Sequence, residues 1–164
     1  MSSTPVPADA VIVRVSIVDV VVVRFRTSGL ETLLLRRAAK TRCTGAWEIV
    51  HGKIERGERP EVAARRELHE ETGLTLARLY NITLGGIYLH HQGVVGLSIV
   101  FCAIVATRTE PTLGVEHDAF EWLPVAAATE RCAWPREREA LAHIQHLFRN
   151  GRDAGAVEDV LFVP

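Results

Sequence analysis

Residues 52–74 read GKIERGERPEVAARRELHEETGL, and this stretch decides the fold. Its carboxylates are Glu55, Glu58, Glu61, Glu67, Glu70 and Glu71. Glu67, Glu70 and Glu71 stand at i, i+3 and i+4, so on an α-helix they share one face within about one turn. Three anions that close repel one another and destabilise the helix. A divalent cation removes the repulsion, and hard oxygen ligands suit Mg²⁺ or Mn²⁺. The alternative is a solvated, salt-bridged helix face, which is what most charge clusters are. Pro60 favours a helix start at that point, and Gly73 suits the position after its end, so the spacing predicts a helix from Pro60 to Thr72.

The frame around the trio separates the two readings. Gly52, Glu58, Arg66-Glu67, Glu70-Glu71 and Gly73 recur at fixed offsets, with Leu68 and Leu74 in two bulky aliphatic slots. At an average usage of ~6% per residue, such a set arises by chance on the order of once in a million chains. The segment resembles the Nudix box at every fixed position. By that resemblance Glu67, Glu70 and Glu71 are metal carboxylates, the Gly52 carbonyl is a further ligand, and Mg²⁺ (or Mn²⁺) is the cofactor. Arg66, beside Glu67 and four before Glu70, is placed to orient carboxylates by charge-assisted hydrogen bonds. Glu58 suits loop support at the positive end of the helix better than metal ligation.

Composition fits one soluble domain. The chain has 164 residues, 48% of them apolar, and a net charge of −1. That length can bury a substantial core. A basic field that would draw nucleic acid is missing, as is a basic stripe with interleaved aromatics. Cys43, Cys102 and Cys132 are far apart and form no CxxC pair, so buried free thiols are expected and the cytoplasm is the default compartment. Residues 10–23, AVIVRVSIVDVVVV, are interrupted by Arg14 and Asp19 and are too short to span a bilayer, so they read as a buried strand, or two joined by a bend near Asp19. Residues 1–9 are expected to be a flexible tail, and 10–164 one domain with no membrane association.

Punctuation and period give the remaining order. Strands are expected at Val11–Phe25, Thr32–Arg37, Trp47–His51, Leu79–His91, Val94–Thr107 and Ala119–Trp122, with a hairpin at Gln92-Gly93. Val125–Thr129 reads as a helical turn. A second helix follows Pro135 over Arg136–Phe148, with Ala140, Leu141, Ile144, Leu147 and Phe148 as its apolar stripe. Strands on both sides of one helix, with another helix late in the chain, make an α/β protein with a mixed sheet between helices. This is similar to the Nudix α/β/α sandwich.

Outside the box the candidates are fewer. Arg36 and Arg37 follow Leu33-Leu34-Leu35 and reach either phosphates or solvent; Arg36 is taken as a substrate-binding candidate. Trp47 stacks on a base or fills the core. His51 stands where family members often carry glycine, which puts a titratable side chain at the mouth of the site, against substrate. His90 and His91 are neighbours on an expected strand and point to opposite faces, so they do not share a metal. His117 and Asp118 lack the nucleophile of a hydrolytic triad. Glu116, in the loop before the Ala119 strand, is the candidate for completing the metal shell or serving as general base.

The resemblance implies hydrolysis of a nucleoside diphosphate linked to another moiety. Segment Glu116–Leu123, with Trp134 further on, looks like the bacterial dihydroneopterin triphosphate and deoxynucleoside triphosphate pyrophosphatase branch. A nucleoside triphosphate type substrate, cut to monophosphate and pyrophosphate, is therefore expected. The family's ADP-ribose pyrophosphatases tend to carry a proline about fifteen residues past the box, and here none occurs between Leu74 and Pro111. ADP-ribose, dinucleoside polyphosphates and nucleotide sugars are the alternative substrates, and a non-catalytic nucleotide-binding regulator is the alternative of another class. A small-molecule nucleotide is the expected partner, in a monomer or homodimer.

Overall fold

The computed structural model describes residues 11–164; the expected tail at 1–9 lies outside them. The Val-rich start forms one long strand, β1 (Ile12–Arg26), followed by β2 (Gly29–Arg37), β3 (Trp47–Glu48) and β4 (Val50–Lys53). Helix α1 (Pro60–Thr72) comes next, then β5 (Leu76–Leu89), β6 (Val94–Val105) and β7 (His117–Pro124). Helices α2 (Val125–Arg131) and α3 (Pro135–Leu147) follow, and a short helical turn α4 (Glu158–Leu161) leads into β8 (Phe162–Val163).

These strands build one mixed sheet in the order β3-β2-β1-β6-β5-β8, with β4 also on β1 and β7 also on β2. Only β1 and β6 run parallel; the other pairs are antiparallel. One edge of β1 serves two neighbours, β4 along Ile17–Val20 and β2 along Val23–Arg26. Its valines are buried on both faces, as a central strand between helices requires. Val18, Val20 and Val22 pack under α1 with Ala63, Ala64 and Leu68. Val21 and Val23 pack on the opposite face with Ala140, Leu141 and Ile144 of α3. The period of two in β1 therefore joins both helical layers into an α/β/α sandwich. Leu68 is 1% exposed, and its truncation to alanine costs about 2–5 kcal/mol.

Several boundaries differ from the sequence expectation. The segment Trp47–His51 is two strands, because the Ile49 N–H donates to Glu137 Oε2 at 3.1 Å instead of to a neighbouring strand. Strand β5 stops at Leu89 and β6 starts at Val94, so His90 and His91 occupy the exposed turn rather than a strand. Elements α4 and β8 were not anticipated; β8 is short and is held by pairing Phe162 with Tyr80 and Val163 with Leu79. Cys102 and Cys132 are buried as expected, but Cys43 is exposed; all three are free. Among the described residues no helix is long and apolar enough to cross a membrane.

Candidate active site

Helix α1 has the bounds its sequence predicts. Pro60 sits in its first turn, and Gly73 adopts φ 66° while its N–H donates to the His69 carbonyl at 2.8 Å. Burial of Ala63, Ala64 and Leu68 sets the helix rotation, and this grades the carboxylates. The Glu71 side chain is 10% exposed, Glu67 13% and Glu70 57%. Shared spacing alone treats the three as equivalent; packing does not.

Gly52 of β4 faces this helix. A Cβ at Gly52 would lie 1.9 Å from Glu67 Cδ, so only glycine allows the Glu67 carboxylate to rest against the strand backbone. Arg66 ties the arrangement together. Its Nη1 donates to Glu67 Oε1 at 2.7 Å and Glu70 Oε2 at 3.2 Å, and its Nη2 to the Lys53 carbonyl at 2.9 Å. Its Nε and Nη2 also fork onto Glu58, each at 2.9 Å. Glu58 Oε2 in turn accepts the Glu55 N–H at 2.9 Å. These carboxylates hold the Arg66 guanidinium well above its ordinary pKa.

Glu71 is the unbalanced member. Burial pushes its carboxyl up to about 9, and repulsion from Glu67, Glu48 and Glu116 adds to the rise, against the pull of Arg37. Its Oε2 is buried without a hydrogen-bond partner. Buried polar atoms are nearly always paired, so an unpaired carboxylate oxygen marks a place that suits a cation. Among the described residues no three His, Cys, Asp or Glu side chains already converge on a metal position; Arg66 draws Glu67 and Glu70 toward itself. The orphaned Glu71 oxygen, the Gly52 cradle and an all-oxygen donor set nevertheless fit a hard divalent ion.

Glu116 lies where the loop after β6 returns over the C-terminal end of α1. That loop is stitched down by Thr112 N–H to the Thr72 carbonyl at 2.8 Å and Gly114 N–H to the Glu71 carbonyl at 3.0 Å. Arg37 Nη1 binds Glu116 Oε2 at 2.7 Å and lies 3.5 Å from Glu48 Oε1. The structure thus brings Gly52, Arg66, Glu67, Glu70, Glu71 and Glu116 into one neighbourhood.

A cleft of about 180 Å³ adjoins it, and His51, Arg37, Glu48, Trp134 and Arg136 are among its lining residues. His51 thus lines the cleft next to the box. Arg36 and Trp47 do not line this cleft. Arg36 pairs with Asp118 at 2.7 Å, and Trp47 is half-buried with Arg36 and Arg131 over its ring. Arg36 and Arg37 are consecutive on β2, so strand alternation sends their side chains to opposite faces. Arg37 is the one that faces the site, and the register shift opposite it leaves Asp118 of β7 unpaired in the ladder, where it meets Arg36 instead.

Glu48 escaped the sequence reading. It is 1% exposed, and its oxygens lie 3.3 Å from His117 Nε2 and 3.0 Å from Trp134 Nε1, which donates to it. Burial alone would raise its carboxyl, yet His117, His51, Trp134 and Arg37 together hold it below the ordinary range. His117 is buried between two carboxylates, with Nδ1 3.8 Å from Glu71 Oε2. The available signal was a lone acid in the apolar run WEIV. Behind them Glu137 is fully buried, accepting from Ile49 N–H and Cys132 Sγ; burial pushes its carboxyl up to about 8.

Comparison with known proteins agrees with this geometry. A NUDIX domain profile matches residues 14–144. The octanoyltransferase of Myxococcus xanthus is 34% identical over 132 residues, 76% of this chain and 35% of that protein. The 8-oxo-(d)GTP phosphatase of Mycolicibacterium smegmatis is 36% identical over 98 residues, 58% of this chain and 29% of that one. The chain thus spans about a third of the length of these curated relatives. A NUDIX hydrolase structure from Listeria monocytogenes superposes with a TM-score of 0.70 at 22% identity, covering 82% of this chain and 94% of that one, which is a likeness of fold. With the profile spanning most of its length and the box residues gathered on α1 and β4, the chain belongs to the Nudix family.

Proposed function

We propose that this chain is a divalent-metal-dependent pyrophosphohydrolase. Its substrate is a nucleoside diphosphate linked to another moiety, in the first instance a nucleoside triphosphate cut to monophosphate and pyrophosphate. The observation that carries the reading is the buried, unpartnered Glu71 oxygen among Glu67, Glu48 and Glu116 at the head of a cleft. Glu67, Glu70 and Glu71 would hold Mg²⁺ or Mn²⁺, with the Gly52 carbonyl and Glu116 as further donors. When bound, such an ion neutralises phosphoryl charge and lowers the pKa of water.

The chain's own residues supply the rest. Arg66 fixes Glu67 and Glu70 by one oxygen each, which keeps the α1 carboxylates in place. Arg37 holds Glu116 over the site, where its carboxylate either takes a proton from the attacking water or adds a ligand. His51, at the mouth, is positioned to contact the phosphates. The M. smegmatis relative is an 8-oxo-(d)GTP phosphatase, and a triphosphate substrate for that protein supports the same class here.

The deciding experiment is a panel of nucleoside triphosphates with Mg²⁺, scored for pyrophosphate release. Turnover of ADP-ribose alone would overturn the triphosphate reading. Ligand-induced thermal stabilisation with no product from any substrate would favour the non-catalytic regulator.

A further inference from the structure

The cleft floor crosses four strands, β4, β1, β6 and β5. His51 of β4 lies opposite Asp19 of β1. On the other side of β1, Ile17 pairs with Ser98 of β6, and Ser98 with Gly85 of β5. Gly96 pairs with Ile87 one step further along the same face. At ~4.8 Å per strand the floor is about 14 Å wide. Its β4 end is polar and adjoins the box, through Arg37, Glu48 and His51. Its β5 end is apolar, lined by Ile87, Leu89 and Leu97. Phosphates at the first end leave the second for a flat, largely apolar group, which in a nucleotide is the base.

Arg136 overlooks the middle of this floor from the first turn of α3, and it is held from three sides. Its Nε donates to Asp19 Oδ2 at 3.0 Å and its Nη2 to Asp19 Oδ1 at 3.3 Å. Asp19 is fully buried and accepts a further bond from Ser98 Oγ at 2.6 Å. The stem lies over Gly85, where a Cβ would come within 3.4 Å of Arg136 Cδ and 2.7 Å of Ser98 Oγ. The guanidinium carbon stands 5.2 Å from the centre of the Trp134 ring. Two of the three guanidinium nitrogens are thereby committed. The third, Nη1, makes no hydrogen bond or ion pair among the described residues.

A fixed arginine with one spare donor nitrogen, beside an apolar floor, is built to read an acceptor. We propose that Arg136 selects the base, donating from Nη1 to an exocyclic carbonyl oxygen, so that the cleft prefers 6-oxopurine nucleotides to 6-aminopurine ones. Adenine presents an amino donor at that position, which faces the arginine donor without a bond, whereas O6 accepts from it. The inference rests on the triphosphate reading above and adds the residue that discriminates within that class.

Inosine and adenosine triphosphates differ at the 6-position, together with the protonation of N1, and make the cleanest pair. The wild-type chain is expected to favour the inosine form by about tenfold or more in kcat/KM, with the difference in KM rather than kcat. Arg136→Lys keeps the charge beside Asp19 but shortens the donor's reach, and it is expected to shrink the preference severalfold. Arg136→Met combined with Asp19→Asn removes donor and counter-charge together and is expected to abolish it. Equal kcat/KM for the two triphosphates in wild type overturns the proposal. So does an undiminished preference in a folded Arg136 variant. Should no triphosphate of the panel be hydrolysed, these two included, the triphosphate reading above fails by itself. Equilibrium titration of the wild-type chain with the same two nucleotides then decides the base preference, equal affinity overturning it.

Discussion

Gly52→Ala isolates the contact between the box strand and the box helix. The added Cβ would lie 1.9 Å from Glu67 Cδ and 2.1 and 2.3 Å from its oxygens, where ordinary contact begins near 3.4 Å. The Glu67 carboxylate must therefore retreat by about 1.5 Å. The obstacle is the far end of a flexible side chain, and Gly52 has no left-handed backbone angle that alanine would strain. Alanine stiffens the unfolded chain, a gain of about 0.4–1 kcal/mol. Loss of the partly exposed Arg66–Glu67 pair costs about 0–1 kcal/mol. Stability is thus expected to stay near wild type. Activity is not, because a misplacement of ~1 Å in catalytic geometry costs on the order of a hundredfold. The assay is pyrophosphate release across a Mg²⁺ titration, beside a thermal melt. The expected result is a turnover lower by about two orders of magnitude, a raised Mg²⁺ requirement and a melting temperature within a few degrees of wild type. Full turnover at the wild-type Mg²⁺ concentration would refute the reasoning, and so would a collapse of the melting temperature that accounts for the lost activity.

Three further outcomes are expected. Glu71→Gln keeps the side-chain shape but removes the charge, so turnover should fall by at least about a hundredfold while the thermal midpoint holds; near-normal rates would remove Glu71 from the metal set. Glu116→Gln separates two roles, since loss of a base flattens a limb of the pH–rate profile whereas loss of a ligand raises the Mg²⁺ requirement; unchanged titrations of both kinds would take Glu116 out of the site. Glu137 has its carboxyl raised by burial from 4.5 to about 8, so its contribution is fully present below the unfolded value and is lost as pH rises through the folded one. Melting of the metal-free chain should therefore fall between about pH 4.5 and 8, and Glu137→Gln should flatten that slope; an identical slope would show that Glu137 does not titrate in this range.

The box helix was legible residue by residue because its signals are local. Pro60, Gly73, the buried run Ala63-Ala64-Leu68 and the i, i+3, i+4 carboxylates all act within a few turns of backbone. The hairpin turn and α3 were legible for the same reason, and the β-rich start was read as buried because valines alternate under two helical layers. The cleft was not legible, since its floor comes from β4, β1, β6 and β5 and its roof from α3, positions far apart in the chain. Glu48 looks like an ordinary strand residue until His117 and Trp134 close on it from about seventy and eighty-six positions away. Asp19 interrupts an apolar strand without apparent reason until Arg136 meets it. Arg36 and Arg37 alternate faces on β2, and only the packed sheet shows that the face of Arg37 is the one that borders the cleft. Sequence alone thus determined the helix that presents the carboxylates, because helix chemistry is set by near neighbours. Tertiary structure alone decided which carboxylate is buried and unpaired and which arginines face the cleft, because burial and strand register exist only once distant segments have packed.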